Sequence, residues 1–257
     1  MKKLSIFSWY CYPIPIEERL KAVKETGFEA TMLWWGSEDK YIQPYLARKI
    51  GLEIENIHAP FKNANSFWFD REDGENYLNL LMDCVKDCTR YSIPTIVIHI
   101  TGFSDPPDIS QIGIDRVEKL VDLAEKEGIN LAFENLNFLQ HINYIFENFK
   151  SNRVKFCYDS GHENWNHPDA NCLSKYGNRL EALHLNDNFG NADTHLLPYD
   201  GNINWKKVKS DLLNRQNIKY ISLEIDFNSS AKESEIYKNL SGLEFLQKAF
   251  EKATMIL

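Results

Sequence analysis

Short apolar runs in this chain repeatedly end in a side chain that binds metals. Six occur in order: Asn56-Ile57-His58, Ile96-Val97-Ile98-His99, Leu131-Ala132-Phe133-Glu134, Phe156-Cys157-Tyr158-Asp159, Ala182-Leu183-His184 and Ile221-Ser222-Leu223-Glu224. One strand-end histidine could equally be a core side chain bonded to its neighbour. The whole series points to a single site assembled from the ends of parallel strands. Burying several imidazoles and carboxylates together is costly unless something neutralises and orders them. A divalent cation does both. Mixed carboxylate and imidazole ligands suit Zn²⁺ or Mn²⁺, with Co²⁺ and Fe²⁺ as further options. So much imidazole argues against Ca²⁺.

Glu134, Asp159, His184 and Glu224 close the last four runs, so four neighbouring strand ends can converge on one ion. Asp159-Ser160-Gly161-His162 adds a polar group across a Gly-containing turn, and His162 could ligate a further metal or bond a substrate hydroxyl. Asp193-Thr194-His195 is a D-x-H pair whose side chains share one side if the segment is extended. His141 and His167 read as ordinary surface residues.

Strand-like and helix-like segments alternate along the chain. Strands are expected at Leu4–Trp9, Ala30–Trp34, Glu53–His58, Thr95–His99, Asn130–Glu134, Val154–Asp159, Leu180–Asn186 and Tyr220–Glu224. Amphipathic helices are expected at Ile16–Thr26, Asn76–Tyr91, Gln111–Lys126 and Glu235–Lys252, the first stopping at Gly27 and the third at Gly128. Eight apolar strands, each followed by a helix, predict an α/β fold. It is a (β/α)8 TIM barrel, one domain spanning residues 1–257. An open doubly wound sheet usually carries a Gly-rich first turn, and no G-x-G-x-x-G occurs. The longest irregular stretches, Pro60–Gly74 and Asp187–Asn204, both follow strands, where barrel enzymes make their substrate contacts.

The composition agrees. An apolar share of 43% and an aromatic share of 13% suffice for a large core. A net charge of −8 disfavours nucleic acid as a partner, because phosphate contacts need clustered Lys and Arg. Five cysteines without a C-x-x-C pair, and no secretory leader, fit reduced thiols in a cytoplasmic protein. No apolar run is long enough to span a membrane.

These motifs resemble the xylose-isomerase-like TIM barrel superfamily, which includes sugar isomerases, ketose 3-epimerases, inosose dehydratase-type enzymes and endonuclease IV. The resemblance covers nearly the whole chain. Its most specific pieces are His58-Ala59-Pro60, Glu134-Asn135, Asp159-Ser160-Gly161-His162, His184-Leu185-Asn186-Asp187, Asp193-Thr194-His195, Pro198 through Trp205, and Leu223-Glu224. In the isomerase and epimerase branch it implies one Zn²⁺- or Mn²⁺-like ion held by Glu134, Asp159, His184 and Glu224, with His162 on the substrate. In the endonuclease IV branch it implies three zinc ions, with His58, His99, Glu134, Asp159, His162, His184, Asp193, His195 and Glu224 as matching ligands. Two features depart from the family. Tyr199 and Asn204 alter the turn after His195, and few basic residues beyond Lys62 and Arg71 are available to grip a duplex.

The resemblance therefore implies a divalent-metal-dependent sugar or sugar-phosphate isomerase or epimerase working through a metal-stabilised enediolate. Glu134 and Glu224 would be its acid and base, and His162, His58 and His99 its substrate contacts. Trp9, Trp34, Trp35, Phe61 and Trp68 are candidate walls for sugar C–H faces, or else core and lid residues. The alternatives are a zinc-dependent phosphoesterase or abasic-site endonuclease with a two- or three-metal site, a lyase of a cyclic polyol, and a metal-stabilised binding module. Barrels of this type often pair, which leaves a homodimer open.

Overall fold

The computed structural model describes residues 2–213, 215–227 and 232–257. Eight strands run through it: β1 Lys3–Phe7, β2 Ala30–Trp34, β3 Glu53–His58, β4 Thr95–Ile98, β5 Asn130–Glu134, β6 Val154–Asp159, β7 Leu180–His184 and β8 Tyr220–Leu223. Every ladder is parallel, and β1 pairs with both β2 and β8. The last seam closes just beyond the end of β7. There Leu185 N donates to Ser222 O at 2.9 Å and Glu224 N donates to Leu185 O at 3.1 Å. The result is a TIM barrel of one domain.

Helices α1 Ile16–Thr26, α2 Gln43–Lys49, α3 Glu72–Tyr91, α4 Gln111–Glu127, α5 Leu139–Asn148, α6 Ser160–Asn166, α7 Cys172–Tyr176, α8 Trp205–Leu213 and α9 Gly242–Ile256 accompany the strands. Their ends follow local chemistry. The hydroxyl of Ser110 accepts from Gly113 N to start α4, and Gly128, at φ 75°, ends it in the left-handed conformation that glycine tolerates best. The helix expected at Glu235–Lys252 is displaced. Residues Lys232–Tyr237 form a 3-10 turn, and α9 begins only after Ser241, which makes a reciprocal capping box with Glu244. Helices α2 and α5 to α8, for which the sequence pattern sets no bounds, are all short.

The barrel interior shows why the strand ends carry the chemistry. Val97, Ala132, Cys157 and Ala182 form a small buried cluster of their own. Side chains two residues apart on a strand share a face. The next inward layer is therefore His99, Glu134, Asp159 and His184. A register shift between Phe156 and Cys157 brings Asp159 level with His184 on the neighbouring strand.

Two expectations about aromatic and histidine positions fail. Trp68, expected at the substrate, ends the 3-10 helix Ala64–Trp68 and is buried, with Nε1 donating to Ile100 O at 2.6 Å. Its ring lies 4.6 Å from that of His141 and fills the space that a side chain on Gly113 would need. His141 is thus a buried residue packed on Trp68, not a surface one. Trp35 is likewise buried, with Nε1 on Asp87 Oδ2 at 2.9 Å. All five cysteines are free. Among the described residues no helix is long and apolar enough to cross a membrane.

Candidate metal centre

The strand ends converge. Glu134 ends β5, Asp159 ends β6, His184 ends β7, and Glu224 follows β8 by one residue. Each presents one ligand atom, and all four atoms lie within 4.8 Å of one another. Two more groups border this one. His58, His99 and Glu134 meet the same spacing, as do His162, Asp193 and His195. All nine expected ligands are therefore brought to one mouth, and Glu134 belongs to more than one group.

Distances inside the cluster suit a shared cation better than hydrogen bonds. His184 Nδ1 lies 3.1 Å from Glu134 Oε2 and 2.9 Å from Glu224 Oε2, yet both ring nitrogens of His184 are buried without an aligned hydrogen-bond partner. Glu134 Oε1 is also unpartnered, although His162 Nδ1 is 3.0 Å away. Donor atoms that crowd without alignment point at a common centre. Among the described residues no Lys or Arg forms an ion pair with Glu134, Asp159, Asp193 or Glu224. Carboxylate and imidazole atoms in this number fit a divalent transition metal.

The histidines are pre-oriented. His58 Nδ1 lies 2.8 Å from Ala59 O, His162 Nδ1 3.1 Å from Asn135 O, and His195 Nδ1 3.0 Å from Glu224 O. A carbonyl oxygen only accepts, so Nδ1 carries the proton and Nε2 turns its lone pair to the cluster. Metal-binding histidines are commonly fixed in this way. The carboxylates are held too. Asn135 and the Asp159 backbone exchange two hydrogen bonds, each 2.8 Å, and Asn186 Nδ2 donates to Asp159 Oδ2 at 2.9 Å. Asp159 also caps α6, accepting from His162 N at 2.6 Å. His195 stands in a left-handed conformation at φ 45°, which brings its Nε2 to 3.3 Å from Asp193 Oδ1.

A match to the xylose isomerase-like TIM barrel model extends over residues 20–248. The chain belongs to that family. Fructoselysine 3-epimerase of Escherichia coli O157:H7 is 21% identical over 251 residues, 87% of this chain and 90% of its own. A D-tagatose 3-epimerase-like protein superposes with a TM-score of 0.73 at 21% identity, over 97% of this chain and 99% of its own. The IolI protein, solved with a bound zinc atom, gives a TM-score of 0.76 at 16% identity, over 99% of this chain and 97% of its own.

Electrostatics in this family member's mouth follow from the crowding. Burial opposes ionisation of Glu134, but the His184 and His99 rings outweigh it and hold the carboxyl well below the usual range. Burial likewise works against the charge on Glu224, yet His184 brings its carboxyl down to about 2. Asp159, by contrast, is pushed up to about 7, by burial and then by the neighbouring Glu134 and Glu224 against the pull of His162. His162 and His195 are raised despite burial, His162 mainly by Asp159 and Asp193 and His195 by Asp193. The cluster draws positive charge to itself, and a cation competes with those protons.

The walls are only partly those expected. Trp34 and Phe61 pack on the His58 ring at 5.5 and 5.6 Å between centroids, and Phe61 stacks on His99 at 4.6 Å. Phe103, which the sequence did not single out, touches Phe61, His99 and His162. Trp9 is 39% exposed and covers Arg19. Asp187 turns away from the mouth and pins the long loop, accepting from Trp205 Nε1 at 2.6 Å and Ile203 N at 3.1 Å. His167 is half-buried, with Nε2 on Asn137 O at 2.8 Å.

Proposed function

We propose that this chain is a divalent-metal-dependent epimerase or isomerase of a sugar or sugar-phosphate, most simply a ketose. The observation that carries this is the convergence of Glu134, Asp159, His184 and Glu224 within 4.8 Å at the strand ends. A relative named fructoselysine 3-epimerase supports it, as does a neighbour named D-tagatose 3-epimerase-like. A bound Zn²⁺ or Mn²⁺ supplies Lewis acidity to neighbouring carbonyl and hydroxyl oxygens of a substrate, which lowers the cost of removing the C–H proton between them.

Glu134 and Glu224 move that proton. Both carboxyls lie below the usual range, so both are ionised at neutral pH and able to accept. They come from β5 and from just beyond β8, and each reaches His184 Nδ1, at 3.1 and 2.9 Å. One removes a proton from one face of a flattened substrate; the other, after taking a proton from solvent, delivers it to the opposite face, which inverts the centre. His162 orients a hydroxyl by exchanging Asp193, now 3.2 Å from its Nε2, for the substrate. His58 and His99 face the same space, while Phe61, Phe103 and Trp34 exclude water from it. General acid–base groups are worth about 10²- to 10⁴-fold. Glu134→Gln and Glu224→Gln should each slow exchange of the substrate C–H with deuterated water by that order. Undiminished exchange in both variants sinks the mechanism.

A second reading, phosphoester hydrolysis at a multinuclear zinc site, is favoured by one specific observation. His162, Asp193 and His195 form a ligand group of their own beside the central four. Elemental analysis separates the two. Near one metal per chain supports sugar chemistry, whereas two or three zinc ions with cleavage of an abasic-site duplex support hydrolysis.

A further inference from the structure

A cleft of about 370 Å³ opens beside the metal cluster, within the size range of small-ligand sites. Ser8 and Trp9, just past β1, form one side, and Trp34 with Ser37, at the end of β2, forms the other. Trp34 is the partition: its indole packs on His58 and also lines this cleft.

The unusual residue is Arg19. It lies on the inward face of α1 among Ile16, Leu20 and Val23, and only 4% of it is exposed. Trp9 covers its guanidinium, 4.4 Å from carbon to ring centroid. Its side chain makes no hydrogen bond or ion pair with any described residue, and Nε is buried without a partner. A charge buried without a partner is strongly unfavourable, so such a group calls for one from outside. A planar guanidinium best accepts a carboxylate or phosphate edge-on.

The facing wall carries the opposite charge. Asp39 is half-buried, accepts from Gln43 Nε2 at 2.8 Å, and attracts Arg19 without pairing with it. Gln43 is itself buried and tied to Ser37 at 2.6 Å, which fixes this wall. Glu38 adds an exposed carboxylate at the rim. A phosphate that reached Arg19 would meet two carboxylates. A group bearing both signs satisfies the whole cleft.

We infer that this cleft binds an α-amino-acid group carried by the substrate, its carboxylate on Arg19 and its ammonium at Asp39, so that the substrate class is a sugar joined to an amino acid. This rests on the sugar-epimerase reading for the group that sits at the metal centre. The cleft itself stands on Arg19, Trp9, Asp39 and Gln43.

The test compares fructose, fructose 6-phosphate, and fructose joined through carbon 1 to the side-chain nitrogen of lysine, together with the last compound lacking its α-amino group. Exchange of the sugar C–H and calorimetric Kd are both measured on the metal-loaded protein. The lysine conjugate should bind at least tenfold more tightly than fructose, and Arg19→Gln should remove that advantage. Asp39→Asn should weaken the conjugate about tenfold but not the compound without the amine. Should Arg19→Gln fail to fold, the Asp39→Asn comparison still decides. Tighter binding of the phosphate, or a conjugate Kd that ignores the folded variants, overturns the inference. Conjugate binding that responds to both variants with no exchange on any sugar keeps the cleft assignment and removes the epimerase reading.

Discussion

Gly161 offers a direct test of how the metal centre is held. A Cβ built there would lie 2.0 Å from Asn186 Oδ1 and 3.0 Å from Asn188 Nδ2, so Gly161→Ala must displace the Asn186 amide. That amide donates to Asp159 Oδ2 at 2.9 Å, and both residues are fully buried. Overpacking of this kind costs about 1–3 kcal/mol, and losing a hydrogen bond to a charged group about 1.5–3 kcal/mol. Alanine's better helix propensity returns up to about 1 kcal/mol. The net loss is about 1.5–6 kcal/mol, or roughly 3–24 °C in Tm for a chain of this size. Because Asp159 loses its support, metal affinity should also fall, by about 10- to 100-fold. Gly113→Ala is the matched control. Its Cβ would lie 2.1 Å from Trp68 Cε3, so it should cost comparable stability with no change in metal affinity. Urea unfolding in a chelator gives the stability term, and zinc titration of the apoprotein gives the affinity. The reasoning is refuted if Gly161→Ala binds zinc as tightly as the parent, or if Gly113→Ala weakens zinc equally.

Further outcomes follow from the same geometry. Glu55, buried beside Ser222, is pushed up to about 7 by burial, although the Ser222 hydroxyl at 2.6 Å opposes the shift. The folded state therefore keeps a proton that the unfolded state loses above its ordinary value near 4.5. Stability should fall as pH rises from about 4.5 to about 7, and Glu55→Gln should remove about 3 kcal/mol of that dependence. Chelator-treated protein unfolded in urea at pH 4.5 and pH 8 checks this, and parallel pH profiles for parent and variant would contradict it. Removing metal should lower Tm, since a ligand at a hundred times its Kd stabilises by about 2.7 kcal/mol. Zinc affinity should weaken as pH falls, because His162, His184 and His195 are drawn toward protonation by the same carboxylates and compete with the cation. A flat affinity between pH 8 and pH 5.5, followed by calorimetry, would argue against these ligands. Trp205→Phe should destabilise by about 1.5–3 kcal/mol, since it leaves the Asp187 carboxylate short of its closest donor; urea unfolding measures it.

The sequence carried the barrel and its mouth because strand order and strand polarity are written locally. In β3, β5 and β6 an apolar run and a polar terminator set both ends of the strand. His99 and Glu224 lie one residue past their strands, since the ladder stops where side chains turn to the cluster. What the sequence hid depended on three-dimensional packing. Trp68 and Phe103 both sit in aromatic or irregular stretches, and only the 3-10 turn and the position of α4 decide that Trp68 goes inward while Phe103 reaches the histidines. Helix α8 buries only Trp205, Val208 and Leu212 among lysines, too sparse a stripe to stand out. Arg19 left a usable trace: a charge inside the apolar stripe of Ile16, Leu20 and Val23.

Glu134 gives one last consequence. Its Oε2 faces His184 of the central four-ligand group and also His58 and His99, while His162 Nδ1 lies 3.0 Å from Oε1 of the same carboxylate. Ions at neighbouring positions would then draw on a single side chain, and they could not load independently. Occupancy of the first position fixes the angle and charge that the second encounters, so binding isotherms should be cooperative rather than a sum of separate sites. Substituting Asp193 would trim the array at its edge, whereas substituting Glu134 would open both the central group and the one that holds His58 and His99.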